Sequence, residues 1–219
     1  MYFGNLSEEL ILMVLNPNTG KLSKRNNLLS HGLIGGLILD LVLQGRLTIY
    51  KDKLIIIDET LTSDNLLDTI FQRVRIESES LSIYSWLRIL RLEFRNIKEM
   101  ILENLVTNGI LRKEIQKTFG MFKSDRFFLT NPNVKDLIIN NIQRIVINNE
   151  ESDHRVLAIL SLMYATNCEN EVFMEEELET YLHEIRNLVS SDEIGQSITL
   201  AINNTAEALM RSLILTTTY

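Results

Sequence analysis

The sequence is poor in cysteine and proline, and it contains no repeat or low-complexity segment. Cys168 is the single cysteine, which excludes an intramolecular disulfide and favours a reducing compartment. Two prolines, Pro17 and Pro132, are too few for a proline-rich linker. The N-terminus lacks the basic and apolar regions of a signal peptide, so we expect a cytoplasmic protein. Because no composition shift marks a boundary, we expect one domain over residues 1–219.

A hydrophobic run long enough to cross a bilayer is also lacking. The most apolar stretch, Gly32 to Leu43, has twelve residues and includes Asp40, whereas a membrane helix needs about 20. Its glycines do not follow the G-x-G-x-x-G order, so a phosphate-binding loop is the weaker interpretation. We instead predict a central core helix over residues 28–44, in which the glycines allow close packing and Gly45 ends the helix.

Motifs of catalysis and metal binding are missing. None of the three histidines, His31, His154 and His183, lies in H-E-x-x-H, and no Cys-x-x-Cys occurs. The sequence also has neither Gly-x-Ser-x-Gly nor a P-loop. Glu176 and Glu179 near His183 could form an acid–base pair, but an acidic helix produces such spacings by chance. We therefore predict no catalytic residues, no metal, no cofactor and no enzymatic activity.

What the sequence does contain is helical periodicity. We predict a mainly α fold with two β-hairpins. The predicted helices span residues 6–15, 28–44, 63–74, 83–108, 134–148, 153–166, 172–189 and 192–214. One hairpin is expected between residues 46 and 57. The other is expected between residues 110 and 129, with its two strands on either side of a polar turn at residues 123–125. Asn5 with Glu8, and Ser190 with Glu193, have the spacing of capping boxes.

Charge is unevenly distributed along the chain. Residues 1–149 contain 19 basic and 16 acidic residues, whereas residues 150–195 contain two arginines and 12 acidic residues. A net charge of −7 argues against general binding of nucleic acid or anionic lipid, so an anion site must be local and lie in the first two-thirds of the chain. The acidic stretch 171–185 predicts a solvated helix face, with a metal or a basic partner as the alternative.

Two features stand apart from this background. The first is basic: Lys21, Lys24 and Arg25 precede the core helix. Along residues 83–108, spacings of three and four predict one helix face for Arg88, Arg91, Arg95 and Lys98. Such a face suits a phosphate-bearing headgroup, or it is a solvated surface paired with Glu93 and Glu99. The apolar residues Phe119, Met121 and Phe122 flank Gly120, and they predict either core packing or an exposed membrane wedge.

Four stretches in register resemble the Golgi phosphoprotein 3 family. They are LSEELILMVLN, LLSHGLIGGLILDLVLQGRL, RNIKEMILENLVTNGIL and DHRVLAILSLMYATN. The resemblance implies a central helical bundle surrounded by amphipathic helices, with one protruding β-hairpin, at residues 110–129, and a second short hairpin. It also implies a non-enzymatic adaptor, and the chain looks like a minimal, bacterial-type member of the family. Eukaryotic members bind phosphatidylinositol 4-phosphate on the cytosolic face of the Golgi and retain glycosyltransferases through their cytosolic tails.

The resemblance also implies site residues. The family pocket uses a tryptophan, an arginine on the core helix and two arginines on the long helix, which fall on Arg25, Ile34, Arg95 and Lys98. We therefore expect Arg95, Lys98 and Arg25 to bind a lipid headgroup, whereas Ile34 supplies nothing for phosphate. Phe119 falls where the family has an apolar membrane-facing residue.

These assignments give two functional hypotheses. In the first, the protein is a peripheral membrane adaptor: Phe119, Met121 and Phe122 insert into a membrane surface, and the cations hold an anionic lipid, by resemblance phosphatidylinositol 4-phosphate. The resemblance adds protein cargo and homo-oligomers formed through the hairpin, with no nucleic acid partner. In the second hypothesis, the protein is a soluble helical interaction module without phosphoinositide binding, and its acidic 169–184 face is the candidate surface.

Overall fold

The computed structural model describes residues 4–22, 27–77, 81–118, 122–148, 150–151 and 153–216, with the backbone alone for 117–118, 122 and 205–216. The predicted mainly helical fold with short antiparallel hairpins is confirmed. The helices are α1 Leu6–Val14, α2 Leu29–Leu43, α3 Asn65–Arg75, α4 Ile83–Glu93, α5 Ile97–Thr107, α6 Asn133–Asn148, α7 His154–Ala165, α8 Glu175–Ser191 and α9 Glu193–Thr216. The strands are β1 Leu15–Asn16, β2 Lys21–Leu22, β3 Leu47–Tyr50, β4 Lys53–Ile56, β5 Leu111–Thr118 and β6 Phe122–Leu129.

Helix α2 is the centre of the hydrophobic core. Twelve of its fifteen residues are buried, and α1, α4, α5, α7 and α9 pack around it. A Cβ at Gly32 would lie 2.3 Å from Thr166 Cγ2, and one at Gly36 would lie 2.6 Å from Ser7 Oγ. The two glycines therefore allow α7 and α1 to approach α2 closely, as the sequence predicts.

Asp40 is the charged residue inside this apolar helix, and the fold provides partners for it. Its Oδ2 accepts a hydrogen bond of 2.6 Å from the backbone N–H of Leu6, at the start of α1. Its Oδ1 lies 3.3 Å from Nη1 of Arg155 on α7, and Nη2 of Arg155 lies 2.7 Å from Oε1 of Glu9. This buried network joins three helices, and it satisfies a carboxylate that would otherwise be too costly to bury.

The turn of the protruding hairpin is misplaced by the sequence prediction. Strands β5 and β6 pair from Leu111↔Leu129 to Thr118↔Phe122, so residues 123–125 lie within β6. The polar sequence around Ser124 suggests a turn, but pairing of eight consecutive residues on each strand outweighs this local preference. In the short hairpin, Lys51 and Asp52 both have positive φ, as a two-residue turn requires. A further hairpin, which the sequence analysis does not predict, pairs β1 with β2.

The predicted long helix over residues 83–108 is wrong, because the chain forms two helices. Helix α4 ends at Glu93, Phe94 has a non-helical ψ of 59°, and Asn96 is the N-cap residue of α5. Phe94 packs against the core and Ile97, three residues later, is buried within it. The helical spacing of apolar residues therefore continues across the break. Periodicity alone therefore does not reveal the interruption.

The cap predicted for the last helix is also corrected. Asp192, rather than Ser190, accepts the backbone N–H of Gly195, at 2.8 Å, while Ser190 lies inside α8. The capping box of Asn5 with Glu8 is confirmed, since each side chain bonds the other residue's backbone N–H. Within the described ranges, none of the helices combines the length and apolar character that a bilayer crossing needs.

Candidate headgroup and membrane sites

Arg95 and Lys98 lie on either side of the N-terminus of α5. Arg95 is exposed in the turn between α4 and α5, and its Nε donates to the carbonyl of Leu92 at 3.2 Å. Lys98 is partly exposed in the first turn of α5, and among the described residues it has no ion pair. The two predicted cations are thus near each other in the chain, but on a helix junction rather than on one continuous helix face.

This N-terminus has an electrostatic character that suits an anion. Asn96, the N-cap residue, has φ −98° and ψ 24°, and its side chain makes no capping hydrogen bond. The first-turn N–H groups give the N-terminus a partial positive charge, to which Arg95 and Lys98 add their own. Glu99, in the first turn, offsets only part of it. A phosphate group fits such a position because helix N–H groups and guanidinium both donate hydrogen bonds to its oxygens.

Arg88 and Arg91 belong to α4 and do not share the helix of Lys98. Arg88 lies over the ring of Tyr84, with 5.7 Å between the guanidinium carbon and the ring centroid. Arg91 is exposed and lies near His31, a buried residue in the first turn of α2. Burial, with a contribution from the Arg91 charge, lowers the pKa of His31 to about 4. Nδ1 of His31 has no hydrogen-bond partner among the described residues.

The two remaining pocket positions of the resemblance are Ile34 and Arg25. Ile34 is completely buried in the core, so it contributes packing rather than phosphate binding. Arg25 lies outside the described residues, as does Lys24. The proximity of His31 to Arg91 is absent from the sequence prediction, because it depends on the packing of α4 against α2.

The predicted membrane-inserting residues belong to the segment around the Thr118↔Phe122 pair, where the described ladder of β5 and β6 ends. Phe119 and Met121 are outside the described residues, and Phe122 begins β6 with only its backbone described. The two eight-residue strands bring the chain to this end through a continuous ladder. Lys113 on β5 forms ion pairs with Glu103 of α5 at 2.6 Å and with Asp125 of β6 at 2.9 Å. Membrane insertion by Phe119, Met121 and Phe122 stays a prediction.

The acidic stretch is largely explained by helix electrostatics. Glu175, Glu176 and Glu177 form the first turn of α8, where negative charge stabilises the positive end of the helix dipole. Glu169 is buried, and burial raises the pKa of its carboxyl. Across the described part of the chain, His, Cys, Asp and Glu side chains nowhere cluster in threes that could hold a metal ion.

Comparison with known proteins agrees with this architecture. The family model described as Golgi phosphoprotein 3 (GPP34) matches residues 6–207, which include all helices from α1 to the greater part of α9. The vacuolar protein sorting-associated protein 74 of Schizosaccharomyces pombe is 28% identical over 162 residues, or 64% of this chain and 48% of the relative. The chain thus matches about half the length of this curated relative. The extent of the family match shows that the chain belongs to the Golgi phosphoprotein 3 family.

Proposed function

We propose that this protein is a peripheral membrane adaptor that holds an anionic lipid headgroup between Arg95 and Lys98, with phosphatidylinositol 4-phosphate as the preferred lipid. The observation that carries the proposal is the uncapped N-terminus of α5 between these two cations. Family membership supports the same role, since the resemblance implies phosphoinositide binding and an adaptor rather than an enzyme.

Without a bound anion, the two cations at the N-terminus of α5 destabilise that helix. A lysine in the first turn of a helix is unfavourable because it adds positive charge to the positive end of the dipole, and here Arg95 adds a second. A phosphate at this position would reverse the sign of the interaction and receive bidentate hydrogen bonds from Arg95. A binding role therefore accounts for cations at a position where helix stability alone favours Asp or Glu.

Headgroup binding at this site needs a second attachment to the membrane. Each cation near an anionic surface contributes about 1 kcal/mol, so Arg95 and Lys98 alone give weak association. We propose that Phe119, Met121 and Phe122 at the hairpin end supply the apolar contribution, and that Arg25 adds charge near the headgroup. Ile34 occupies the family's core-helix arginine position without a donor, so we expect broader selectivity among anionic lipids than a pocket with three guanidinium groups would give.

Vesicle co-sedimentation tests this function directly. The protein is mixed with neutral vesicles, with vesicles containing phosphatidylserine, and with vesicles containing phosphatidylinositol 4-phosphate, at low and at physiological salt. We expect pelleting with phosphatidylinositol 4-phosphate that exceeds pelleting with phosphatidylserine and decreases with salt. Arg95→Glu combined with Lys98→Glu should abolish it.

The matched control is Arg88→Glu, which reverses one exposed guanidinium charge on α4 away from the N-terminus of α5. This variant should pellet as the parent protein does. A further variant, Phe119→Ser with Phe122→Ser, tests the apolar contribution and should reduce pelleting on every anionic vesicle. Unchanged pelleting of the Arg95→Glu, Lys98→Glu protein would refute the headgroup site, and absence of pelleting by the parent protein would favour the soluble interaction module.

A further inference from the structure

A groove that neither Arg95 nor Lys98 lines lies between the β1–β2 hairpin, whose turn spans residues 17–20, and the protruding β5–β6 hairpin. Its volume is about 490 Å³, and it is lined by Asn18, Thr19, Lys21, Glu114, Ile115, Gln116, Arg126 and Phe128. A volume of this size is within the usual range of small-molecule sites, roughly 300–1,000 Å³. Six of the lining side chains are polar or charged, which points to a polar ligand rather than an apolar one.

Contacts beside the groove fix its two sides relative to each other. The carbonyl of Gly20 accepts the N–H of Phe127 at 2.9 Å, which joins the turn to β6. Gly20 has φ +63°, and a Cβ there would lie 2.9 Å from Cζ of Phe128. Only glycine allows this approach, so the turn and the hairpin keep a defined relative position.

The turn itself is also preorganised. Oδ1 of Asn16 accepts the backbone N–H groups of Asn18 at 3.0 Å and of Thr19 at 2.9 Å. These bonds hold the backbone and leave the side chains of Asn18 and Thr19 on the groove as donors and acceptors. On β6, the shielded hydroxyl of Ser124 has no partner among the described residues, and strand alternation puts it on the face of Arg126.

The groove has a positive balance of charge. Lys21 is exposed and has no carboxylate partner in the described ranges, while Arg126 donates only to the backbone carbonyl of Asp125, at 3.0 Å. Glu114 is the acidic lining residue, but it forms its ion pair with Arg112, whose guanidinium lies 4.8 Å from the ring centroid of Phe128. The two cations therefore remain available for a ligand.

We propose that this groove binds a phosphate monoester, with Lys21 and Arg126 on the phosphate and Asn18, Thr19 and Gln116 on the hydroxyl groups of its carrier. Guanidinium and ammonium together match a phosphate that carries close to two negative charges. The amide and hydroxyl side chains suit a hydroxylated carrier, and the ring of Phe128 provides an apolar wall. The molecule that carries the phosphate is either a lipid or a soluble metabolite, since both can present a phosphate monoester beside free hydroxyl groups.

The first experiment uses soluble probes and a local signal. Glycerol 3-phosphate and inorganic phosphate are titrated into the ¹⁵N-labelled full chain, and the backbone amide signals of residues 18–21 and 114–116 are followed by NMR. We expect saturable shifts at these amides with glycerol 3-phosphate. Lys21→Ala with Arg126→Ala should weaken the binding about tenfold or more, because two charge-assisted contacts are lost. Arg95→Ala with Lys98→Ala should leave these shifts unchanged, so the two sites can be told apart.

The matched control is Lys53→Ala with Arg88→Ala, which removes one lysine and one arginine elsewhere and should titrate like the parent protein. A charge-preserving variant, Lys21→Arg with Arg126→Lys, should retain most of the affinity. Vesicles with lysophosphatidic acid, a monoester that keeps a free glycerol hydroxyl, and with phosphatidylglycerol, a diester with free hydroxyls, are then compared in the Arg95→Ala, Lys98→Ala background. Selective pelleting of the protein with lysophosphatidic acid vesicles identifies a lipid source, and binding of the soluble probe without such pelleting identifies a metabolite.

Two outcomes would overturn the proposal. In one, the amides of residues 18–21 and 114–116 do not shift with either soluble probe, and the protein does not pellet with lysophosphatidic acid vesicles. In the other, Lys21→Ala with Arg126→Ala titrates as the control variant does. Neither outcome depends on whether phosphatidylinositol 4-phosphate binds at Arg95 and Lys98.

Discussion

Asp40, in the apolar helix α2, accepts a hydrogen bond of 2.6 Å from the backbone N–H of Leu6, so one carboxylate is the acceptor for a donor in the first turn of another helix. The other oxygen faces Arg155 at 3.3 Å. Since α1, α2 and α7 belong to one hydrophobic core, this contact fixes the relative positions of three helices. It also explains why a charged residue occurs in the most apolar stretch of the chain.

Removing this carboxylate should be strongly destabilising. Asp40→Ala would leave the N–H of Leu6 without its acceptor and Arg155 with one fewer counter-charge in a buried site. We expect a loss of about 3 kcal/mol in the free energy of unfolding, measured by urea denaturation. Asp136→Ala, which removes an exposed carboxylate from the first turn of α6, should cost less than about 1 kcal/mol. Equal losses in the two variants would show that the network does not stabilise the fold.

The same residue predicts a pH dependence of stability. Burial raises the pKa of Asp40 to about 7, against the opposing effects of the Leu6 N–H and Arg155. The folded state therefore binds more protons than the unfolded state between about pH 4 and pH 7, and the contribution of Asp40 to stability decreases as pH rises through this range. Burial raises the pKa of Glu9 in the same direction.

To isolate the effect of Asp40, the stability of the parent protein is compared with that of a variant at each pH, because His31 changes stability with pH in the opposite direction. Burial lowers its pKa to about 4, so its contribution is present above pH 6.5 and is lost as pH falls. Urea unfolding of the parent protein and of Asp40→Asn at pH 5, 6, 7 and 8 cancels the histidine. The stability of the parent relative to Asp40→Asn should decrease with rising pH, and a constant difference would show that Asp40 has an ordinary pKa.

The glycines of α2 give a packing prediction. Gly32→Ala places a methyl group 2.3 Å from Cγ2 of Thr166, a buried residue after α7, so one of the two helices must shift. Although alanine raises helix propensity by about 1 kcal/mol, we expect a net loss of 1–3 kcal/mol by thermal or urea unfolding, roughly the cost of overpacking. Ser30→Ala, on the partly exposed side of the first turn of α2, should change stability by less than about 0.5 kcal/mol. A stabilised Gly32→Ala protein would show that the helices can separate without cost.

The headgroup site makes a prediction in which stability and binding change in opposite directions. Asn96→Asp places a carboxylate at the N-terminus of α5 between Arg95 and Lys98, so it should stabilise the helix by about 0.5–1 kcal/mol. The same carboxylate competes with a lipid phosphate and should weaken pelleting with phosphatidylinositol 4-phosphate vesicles several-fold. Asn108→Asp, at the opposite end of α5, should leave pelleting unchanged. An increase in both stability and pelleting would argue against an anion site at this N-terminus.

Much of the local structure follows from the sequence, because its causes lie within a few residues. The capping box of Asn5 with Glu8, the apolar run of α2 and the polar turn at Lys51 and Asp52 each depend on neighbours in the chain. The family resemblance rests on the same kind of information, since its four stretches are individual helices with their flanking residues. The helical fold and the choice of Arg95 and Lys98 as candidates therefore require no coordinates.

Tertiary structure decides what these residues face. The break at Phe94 is invisible to periodicity because Phe94 and Ile97 both reach the core, yet it moves Arg95 from a helix face to a helix N-terminus. Pairing along β5 and β6 fixes the hairpin end, and packing of Gly20 on Phe128 creates a groove between segments about 100 residues apart. Sequence patterns report local preference and burial. The ion pair of Asp40 with Arg155, and the presence of Lys21 and Arg126 in one groove, depend instead on how complete helices and strands pack.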